Sequence, residues 1–202
     1  MSNKLHIEIP LRNKVEAFFK GTDALLQFSN EVIDPIIKGL IKSNDKEQAL
    51  IITYYRINNW IRALVLMNDT MYFQSVASGT RTILELLLDL NILYKHSDKY
   101  LKKYYAFNEI QKYYYAQKIK EFKNVYNLDE SLYSIQIDYL KSIDISKIEQ
   151  IIIDNWGFNL KQKPNKPKHW TGMTVIKRAE LLGIDYLKLY HDCYHLTNWY
   201  VH

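Results

Sequence analysis

The spacing of apolar residues predicts that this chain is helical almost throughout. Apolar positions recur at intervals of three and four, and the residues that break helices are scarce, with 6 Gly and 4 Pro in 202 residues. This is the period of an amphipathic helix, whereas a half-buried strand alternates at every second residue. We therefore expect an all-α fold, a single helical bundle of about six to eight helices.

Local signals place the helix boundaries. The first helix is predicted from about residue 11 to residue 41, with a kink or a break at Pro35, because proline removes a backbone donor. Ser43 or Asn44 would cap a second helix that extends to about Met67. The later helices are expected at about 72–95 and 98–126, as two short helices within 128–158, and at about 171–182 and 185–202.

Length and one linker-like segment set the domain organisation. A chain of 202 residues with 48% hydrophobic content buries the core of one domain, which we take as residues 1–202. Residues 158–170 combine two prolines with four lysines and no acidic residue, which predicts an exposed basic loop. Residues 171–202 are then a C-terminal pair of helices that packs on the bundle, with Gly183 between them.

Composition narrows the class of protein. Cys193 is the single cysteine, so no internal disulfide forms, and the opening "MSNKLHIEIPLRNK" has no apolar run of signal length. No apolar run approaches the roughly 20 residues that a membrane-spanning helix needs. We therefore expect a cytoplasmic protein without membrane association. The net charge of +5 permits an acidic partner such as RNA without requiring one.

The stretch "RTILELLLDLNILY" carries charged residues in an otherwise apolar helix. At about 100° per residue, Arg81, Glu85 and Asp89 fall within one quarter of the helix circumference, and leucine and isoleucine occupy most of the rest. A helix that is apolar on almost every side is typically central in its bundle. The strip is then either an exposed Arg81–Glu85 pair or a buried group of charges that requires partners.

The last predicted helix has a polar face of its own. In "YHDCYHLTNWYVH", His191, His195, Asn198 and His202 share one face. A histidine opposite a carboxylate or an arginine can act as general acid or base, and histidines one turn apart can also bind a metal. A third interpretation is that these side chains form the polar edge of an amphipathic helix and have no chemical role. The chain lacks the Glu-x-x-His pairs of di-iron bundles, and we predict neither a metal nor another cofactor.

A family resemblance joins these features. The pattern "GTRTILELLLDL", followed by "HW", "KRAELLG" and "YLKLYHDCYHLTNWYVH", resembles a family of bacterial helical proteins described only as a domain of unknown function. Members carry Arg-x3-Glu in a central helix, matched here by Arg81 and Glu85, and Ser/Thr-x4-His in the last helix, matched by Thr197 and His202. The family is similar in build to the HEPN superfamily, many of whose members are metal-independent RNA endonucleases of toxin and phage-defence systems.

The resemblance implies a set of candidate catalytic residues: Arg81, Glu85, His195, Asn198 and His202. His202 would be the acid or base, and an arginine would stabilise charge on the phosphate. The sequence departs from the HEPN pattern, because no arginine lies four to six residues before His202. Arg81 or Arg178 would have to reach the site from another helix.

Two functional hypotheses from different classes follow. The first is a defence or toxin-type effector that cleaves or binds RNA such as tRNA, and it requires the polar strip to face the last helix. The second is a noncatalytic protein-interaction module, in which the strip belongs to a closed and fully paired cluster that fixes helix register. A small-molecule or metal site in the bundle core is a third reading. We expect a homodimer, and an antitoxin or another partner protein fits either of the first two hypotheses.

Overall fold

The computed structural model describes residues 9–39, 44–67, 72–126, 133–157 and 167–195, and within these ranges the fold is all-α, without a strand. The predicted fold class is therefore confirmed. The helices are α1 (Ile9–Phe28), α2 (Asp34–Gly39), α3 (Asp45–Leu66), α4 (Phe73–Lys95), α5 (Ser97–Tyr126), α6 (Ser134–Ser142), α7 (Ile145–Trp156), α8 (Val175–Leu182) and α9 (Ile184–Leu189). Two π-helical segments are present, a π-turn at Ser29–Ile33 and a terminal π-helix at Tyr190–His195. None of the described helices is long and apolar enough to cross a membrane.

The chain divides into two compact units. The terminal unit comprises Met1–Lys95 and Val175–His202, and the middle unit comprises His96–Thr174. The organisation as one domain, expected from the sequence, stays a prediction.

Most predicted helix boundaries lie within a few residues of the observed ones. The side chain of Asn44 accepts a hydrogen bond from the backbone N–H of Glu47 at 3.1 Å, which is the predicted cap of α3. At Pro35 the helical path does not break. The backbone instead takes π-helical winding over Ser29–Ile33, directly before the proline, and continues as α2 with Pro35 in its first turn. Gly183, with φ at 110°, separates α8 from α9.

Helix α4 is the central helix of the terminal unit. It contacts α3, α8 and the terminal π-helix, and it buries apolar side chains on most of its circumference: Leu84, Leu86, Leu88, Ile92 and Leu93. Gly79 allows the close approach of α3, because a Cβ at this position would lie 2.7 Å from Cδ2 of Leu64. The all-round apolar pattern in the sequence therefore indicated the position of α4 correctly.

The middle unit is built on α5, which packs against α6 and α7. Its core is a small apolar cluster of Ile110, Tyr113, Ile148 and Ile152. The unit also contains a group of aromatic contacts, in which Trp170 lies edge-on to both Tyr100 and Tyr104 at centroid distances of 6.1 and 5.5 Å. The unit is thus held together mainly by the shape and contact of apolar surfaces.

Candidate functional site

The most buried charged side chain of the described residues is Arg178 on α8, which is 2% exposed. Its Nη1 donates to Oδ1 of Asp89 at 2.5 Å, and its Nη2 donates to Oε2 of Glu85 at 3.1 Å. The Nη1 group also lies 3.4 Å from the backbone carbonyl oxygen of Glu85. One guanidinium group therefore bridges two carboxylates that lie one helical turn apart on α4.

The sequence of α8 explains why this arginine is inside. Val175, Ala179 and Leu182 form the apolar side of the helix, and Arg178 falls within the same arc. Because α8 packs on α4, the arc that carries Arg178 turns toward the polar strip. Burying an isolated charge costs several kcal/mol, so two carboxylates are needed beside it. Its Nε is buried and has no acceptor among the described residues.

Arg81 extends the same network toward the surface. Its Nε lies 3.4 Å from Oε1 of Glu85, and its Nη2 donates to the hydroxyl of Tyr194 in the terminal π-helix. The guanidinium carbon also lies over the Tyr194 ring, 4.3 Å from its centroid, which is a cation–π contact. The side chains of Arg81 and Glu85 are 30% and 32% exposed, so this end of the network reaches solvent.

Tyr194 closes the network on the side of the terminal π-helix. It is buried, and its ring stacks on Tyr190 at 4.9 Å between centroids. Burial raises the pKa of the Tyr194 hydroxyl, and the carboxylate of Glu85 raises it further, whereas Arg81 opposes the shift. The hydroxyl therefore stays protonated at neutral pH and above.

These five residues form what we call the Arg178 cluster: Arg81, Glu85, Asp89, Arg178 and Tyr194. It contains two arginines and two carboxylates, so its formal charge is zero. Such an arrangement fixes the register of three helical elements, because the guanidinium and carboxylate groups require specific positions. Its positive charges are already neutralised from within, which weakens its attraction for a phosphate.

The structure brings together two of the five predicted site residues. Arg81 and Glu85 are paired, as the spacing of four predicted. Asn198 and His202 lie outside the described residues, and so does the side chain of His195. Any role of these three stays a prediction.

The predicted histidine face begins in a segment that does not have α-helical geometry. His191 is exposed, with its ring edge-on to Tyr190 at 5.4 Å, and Tyr194 is the residue that contacts Arg81. Residues 190–195 are π-helical, with hydrogen bonds from i to i+5, so the α-helical wheel used for the prediction does not describe this segment.

Sequence reasoning also missed the central role of Arg178. An arginine within the apolar arc of a short helix was the available signal, and its counterpart was the acidic pair Glu85 and Asp89. For Tyr194 we find no such signal, because the chain contains 17 tyrosines and nothing in the sequence distinguishes this one.

Other chemistry near the cluster is limited. Among the described residues, no three His, Cys, Asp or Glu side chains converge as a metal site would require. Cys193 is half-buried, and burial together with the charge of Asp192 raises the pKa of its thiol, which disfavours the nucleophilic thiolate.

An open apolar cavity of about 350 Å³ lies elsewhere in the terminal unit. Residues from α2, α3 and α4 line it: Ile37, Leu50, Ile51, Tyr54, Leu90, Asn91 and Tyr94. No member of the Arg178 cluster is among them. The cavity and the cluster are therefore separate features of this unit.

Comparison with known proteins shows to which family the chain belongs. Residues 47–202 match the model of a family of unknown function, DUF5677. The chain belongs to this family. All members of the Arg178 cluster lie within the residues of this DUF5677 match, whereas α1 and α2 precede it. Neither a curated protein nor a solved structure matched the chain. The HEPN-like build inferred from the sequence stays a prediction.

Proposed function

We propose that this DUF5677 chain is a noncatalytic protein-interaction module whose helices are held in register by the Arg178 cluster. The observation that carries the proposal is the state of Arg178, which is 2% exposed and bound to two carboxylates. A guanidinium in that position cannot contact a substrate without breaking buried ion pairs. The cluster is charge-balanced and its Arg178 end is closed to solvent, which supports a structural role.

Exposed apolar surface supports the interaction role. Five large apolar side chains of the α1–α2 segment are exposed: Phe18, Leu25, Phe28, Val32 and Ile36. Single exposed apolar residues are common on monomeric proteins, but five of them between residues 18 and 36 favour a surface that binds a partner. A partner protein, which the sequence allows to be an antitoxin or a second copy of this chain, is therefore the ligand class that we favour.

A second candidate function is an RNA-cleaving or RNA-binding effector, and two observations favour it. Arg81 and Glu85 reach solvent at the edge of the Arg178 cluster, beside the helical segment that precedes Asn198 and His202. Residues 96–174 also contain thirteen lysines against nine acidic residues, and lysine-rich surfaces contact nucleic-acid backbones. This candidate needs His202 as acid or base and Arg81 to stabilise the phosphate charge.

One experiment separates the two candidates. Purified protein is incubated with total RNA and with tRNA in the presence of a chelator, and the wild type is compared with Arg81→Ala and His202→Ala. Arg56→Ala is the matched control, because Arg56 is exposed on α3 and outside the cluster. We expect intact RNA in every sample, and a lower melting temperature for Arg81→Ala than for Arg56→Ala.

Cleavage by the wild type and by Arg56→Ala, but not by the other two variants, would overturn the noncatalytic proposal. The polar strip would then be an active site. Thermal unfolding of each variant distinguishes a lost catalytic group from a lost fold.

A further inference from the structure

The apolar cavity of the terminal unit has walls from three helices. Ile37 of α2 forms one wall, Leu50 and Ile51 belong to the α3 wall, and Leu90 belongs to the α4 wall. The cavity volume of about 350 Å³ lies within the range of small-molecule sites, roughly 300–1,000 Å³. The space is therefore large enough for a small organic ligand.

The α2 wall is held in place by the π-turn that precedes it. The hydroxyl of Ser29 in this turn lies 2.5 Å from the hydroxyl of Tyr54 and accepts a hydrogen bond from Nδ2 of Asn58. Because α2 begins directly after the π-turn, these contacts with α3 also fix the position of Ile37. A wall that contacts within the chain already hold lowers the cost of ordering on binding.

The polar side chains of the lining offer little to a polar ligand. The hydroxyl of Tyr54 is already engaged with the π-turn. Asn91 donates from Nδ2 to the backbone carbonyl oxygen of Leu87 at 2.9 Å and accepts from the hydroxyl of Tyr186 at 2.6 Å. Tyr94 is 64% exposed, so its ring lies at the open side of the cavity. A polar ligand would lose hydration without gaining equivalent hydrogen bonds, whereas an apolar ligand displaces water that has few partners there.

The charged residues beside the α3 wall favour neither a cation nor an anion. Lys46 and Glu47 each lie one helical turn before a lining residue, Leu50 and Ile51 respectively, and their charges are opposite. The ammonium group of Lys46 lies over the ring of Tyr94, 5.5 Å from its centroid, which is a cation–π contact. A net charge on the ligand is therefore not matched by this end of the cavity.

We propose that this cavity binds an uncharged, mainly apolar aromatic small molecule. The rings of Tyr54 and Tyr94 favour an aromatic ligand, because aromatic pairs gain stabilisation beyond the area that they bury. Ile37 precedes the residues matched by the DUF5677 model, so the complete cavity requires a part of this chain outside the family match. The proposal concerns a further site and does not depend on the interaction role.

Titration of the full chain with N-phenylnaphthylamine tests the proposal, because the fluorescence of this uncharged aromatic probe rises in an apolar environment. We expect saturable binding to the wild type with one site per chain. Ile51→Trp places extra volume in the cavity and should weaken binding by about tenfold or more. Ile52→Trp is the matched control and should retain the wild-type affinity, since Ile52 is 48% exposed and is not part of the lining.

Circular dichroism of each variant verifies that the helices are retained. If Ile51→Trp loses its helices, Leu90→Trp takes its place, because it fills the cavity from the α4 wall. A wild type without saturable binding would overturn the proposal. Unchanged affinity in a folded cavity-filling variant would also overturn it, because the probe would then bind elsewhere on the exposed apolar surface.

A charged analogue tests the class of ligand. Anilinonaphthalene sulfonate has the same two aromatic groups and an added sulfonate, and we expect it to bind about tenfold more weakly or worse at this site. Equal or tighter binding of the sulfonate, lost in Ile51→Trp, would overturn the assignment to uncharged ligands. Neither result depends on the RNA experiment, since no member of the Arg178 cluster lines the cavity.

Discussion

Arginine is confined to one of the two units of the chain, and this difference matches how each unit is held together. All five arginines lie in the terminal unit, and the middle unit has thirteen lysines and no arginine. Arginine suits buried ion pairs, because its planar guanidinium binds two carboxylate oxygens at once, whereas the lysine ammonium is strongly hydrated. In the terminal unit Arg178 is accordingly inside, and in the middle unit the described lysines are exposed or partly exposed.

The cores of the two units differ in a corresponding way, because one contains buried charges and the other does not. Helix α4 of the terminal unit buries Asp89 beside Arg178, while α5 of the middle unit contributes Ile110 and Tyr113 to a cluster without charges. A charged pair specifies direction and register, and an apolar cluster specifies volume. Substitutions should therefore couple differently in the two units.

Among single substitutions, the largest expected effect comes from removing Arg178. Arg178→Met leaves Asp89 and Glu85 without their shared partner, and breaking a buried pair in this way costs about 3–5 kcal/mol of unfolding free energy. The double variant Arg178→Met/Asp89→Leu removes both buried charges and should be more stable than either single variant. Urea unfolding of the wild type, of Arg178→Met, of Asp89→Leu and of the double variant gives the coupling free energy between the two residues.

Arg178→Lys separates charge from geometry. It retains the positive charge but loses the two-pronged contact, so its stability should lie between those of the wild type and Arg178→Met. Equal stability of Arg178→Lys and the wild type would contradict the role given to the guanidinium fork. A double variant that loses the sum of the two single effects would contradict a mutual ion pair.

The apolar core of the middle unit should give the opposite coupling. Ile148→Ala and Ile152→Ala each remove buried methyl groups from one cluster, at a cost of roughly 2–5 kcal/mol each. The unfolding free energy of the double variant should fall by about the sum of the two single effects, because neither substitution relieves a penalty left by the other. Unfolding by urea measures this, and a double variant as stable as either single variant would show that the cluster rearranges to fill the space.

The sequence predicted the helices well because the local signals were strong. The cap at Asn44, the glycine at residue 183 and the apolar pattern of α4 each state a local preference that the packed structure retains. The Arg81–Glu85 contact was predictable for the same reason, since a spacing of four fixes it within one helix.

The rest of the site depends on packing between elements distant in sequence. The contact of Arg178 with Asp89 joins residues 89 positions apart, and no helical period encodes it. Tyr194 contacts Arg81 across 113 positions of sequence, from a π-helical segment that no residue pattern in the sequence indicates. The side chains of His195, Asn198 and His202 lie outside the described part of the chain, so their predicted roles stay predictions.

The smallest expected effect is a pH dependence that involves Tyr194. Burial and Glu85 raise the pKa of Tyr194 above its ordinary value of about 10, so the folded state holds this proton more tightly than the unfolded chain. The resulting stabilisation is complete below the unfolded pKa and is lost as pH rises through the folded one. Burial also raises the pKa of Tyr114 and of Tyr139 in the middle unit, so the wild type should lose stability above pH about 10 for several reasons.

Tyr194→Phe isolates the contribution of the terminal unit, because phenylalanine has no proton to lose. Its unfolding free energy should decline less steeply above pH about 10 than that of the wild type. Tyr115→Phe, at a highly exposed position of α5, is the control and should follow the wild-type slope. Urea unfolding at a series of alkaline pH values measures how steeply the unfolding free energy of each protein declines. If both variants kept the wild-type slope, the high-pH loss would arise from other groups such as Tyr114, Tyr139 or Cys193, and the Tyr194 hydroxyl would not contribute to it.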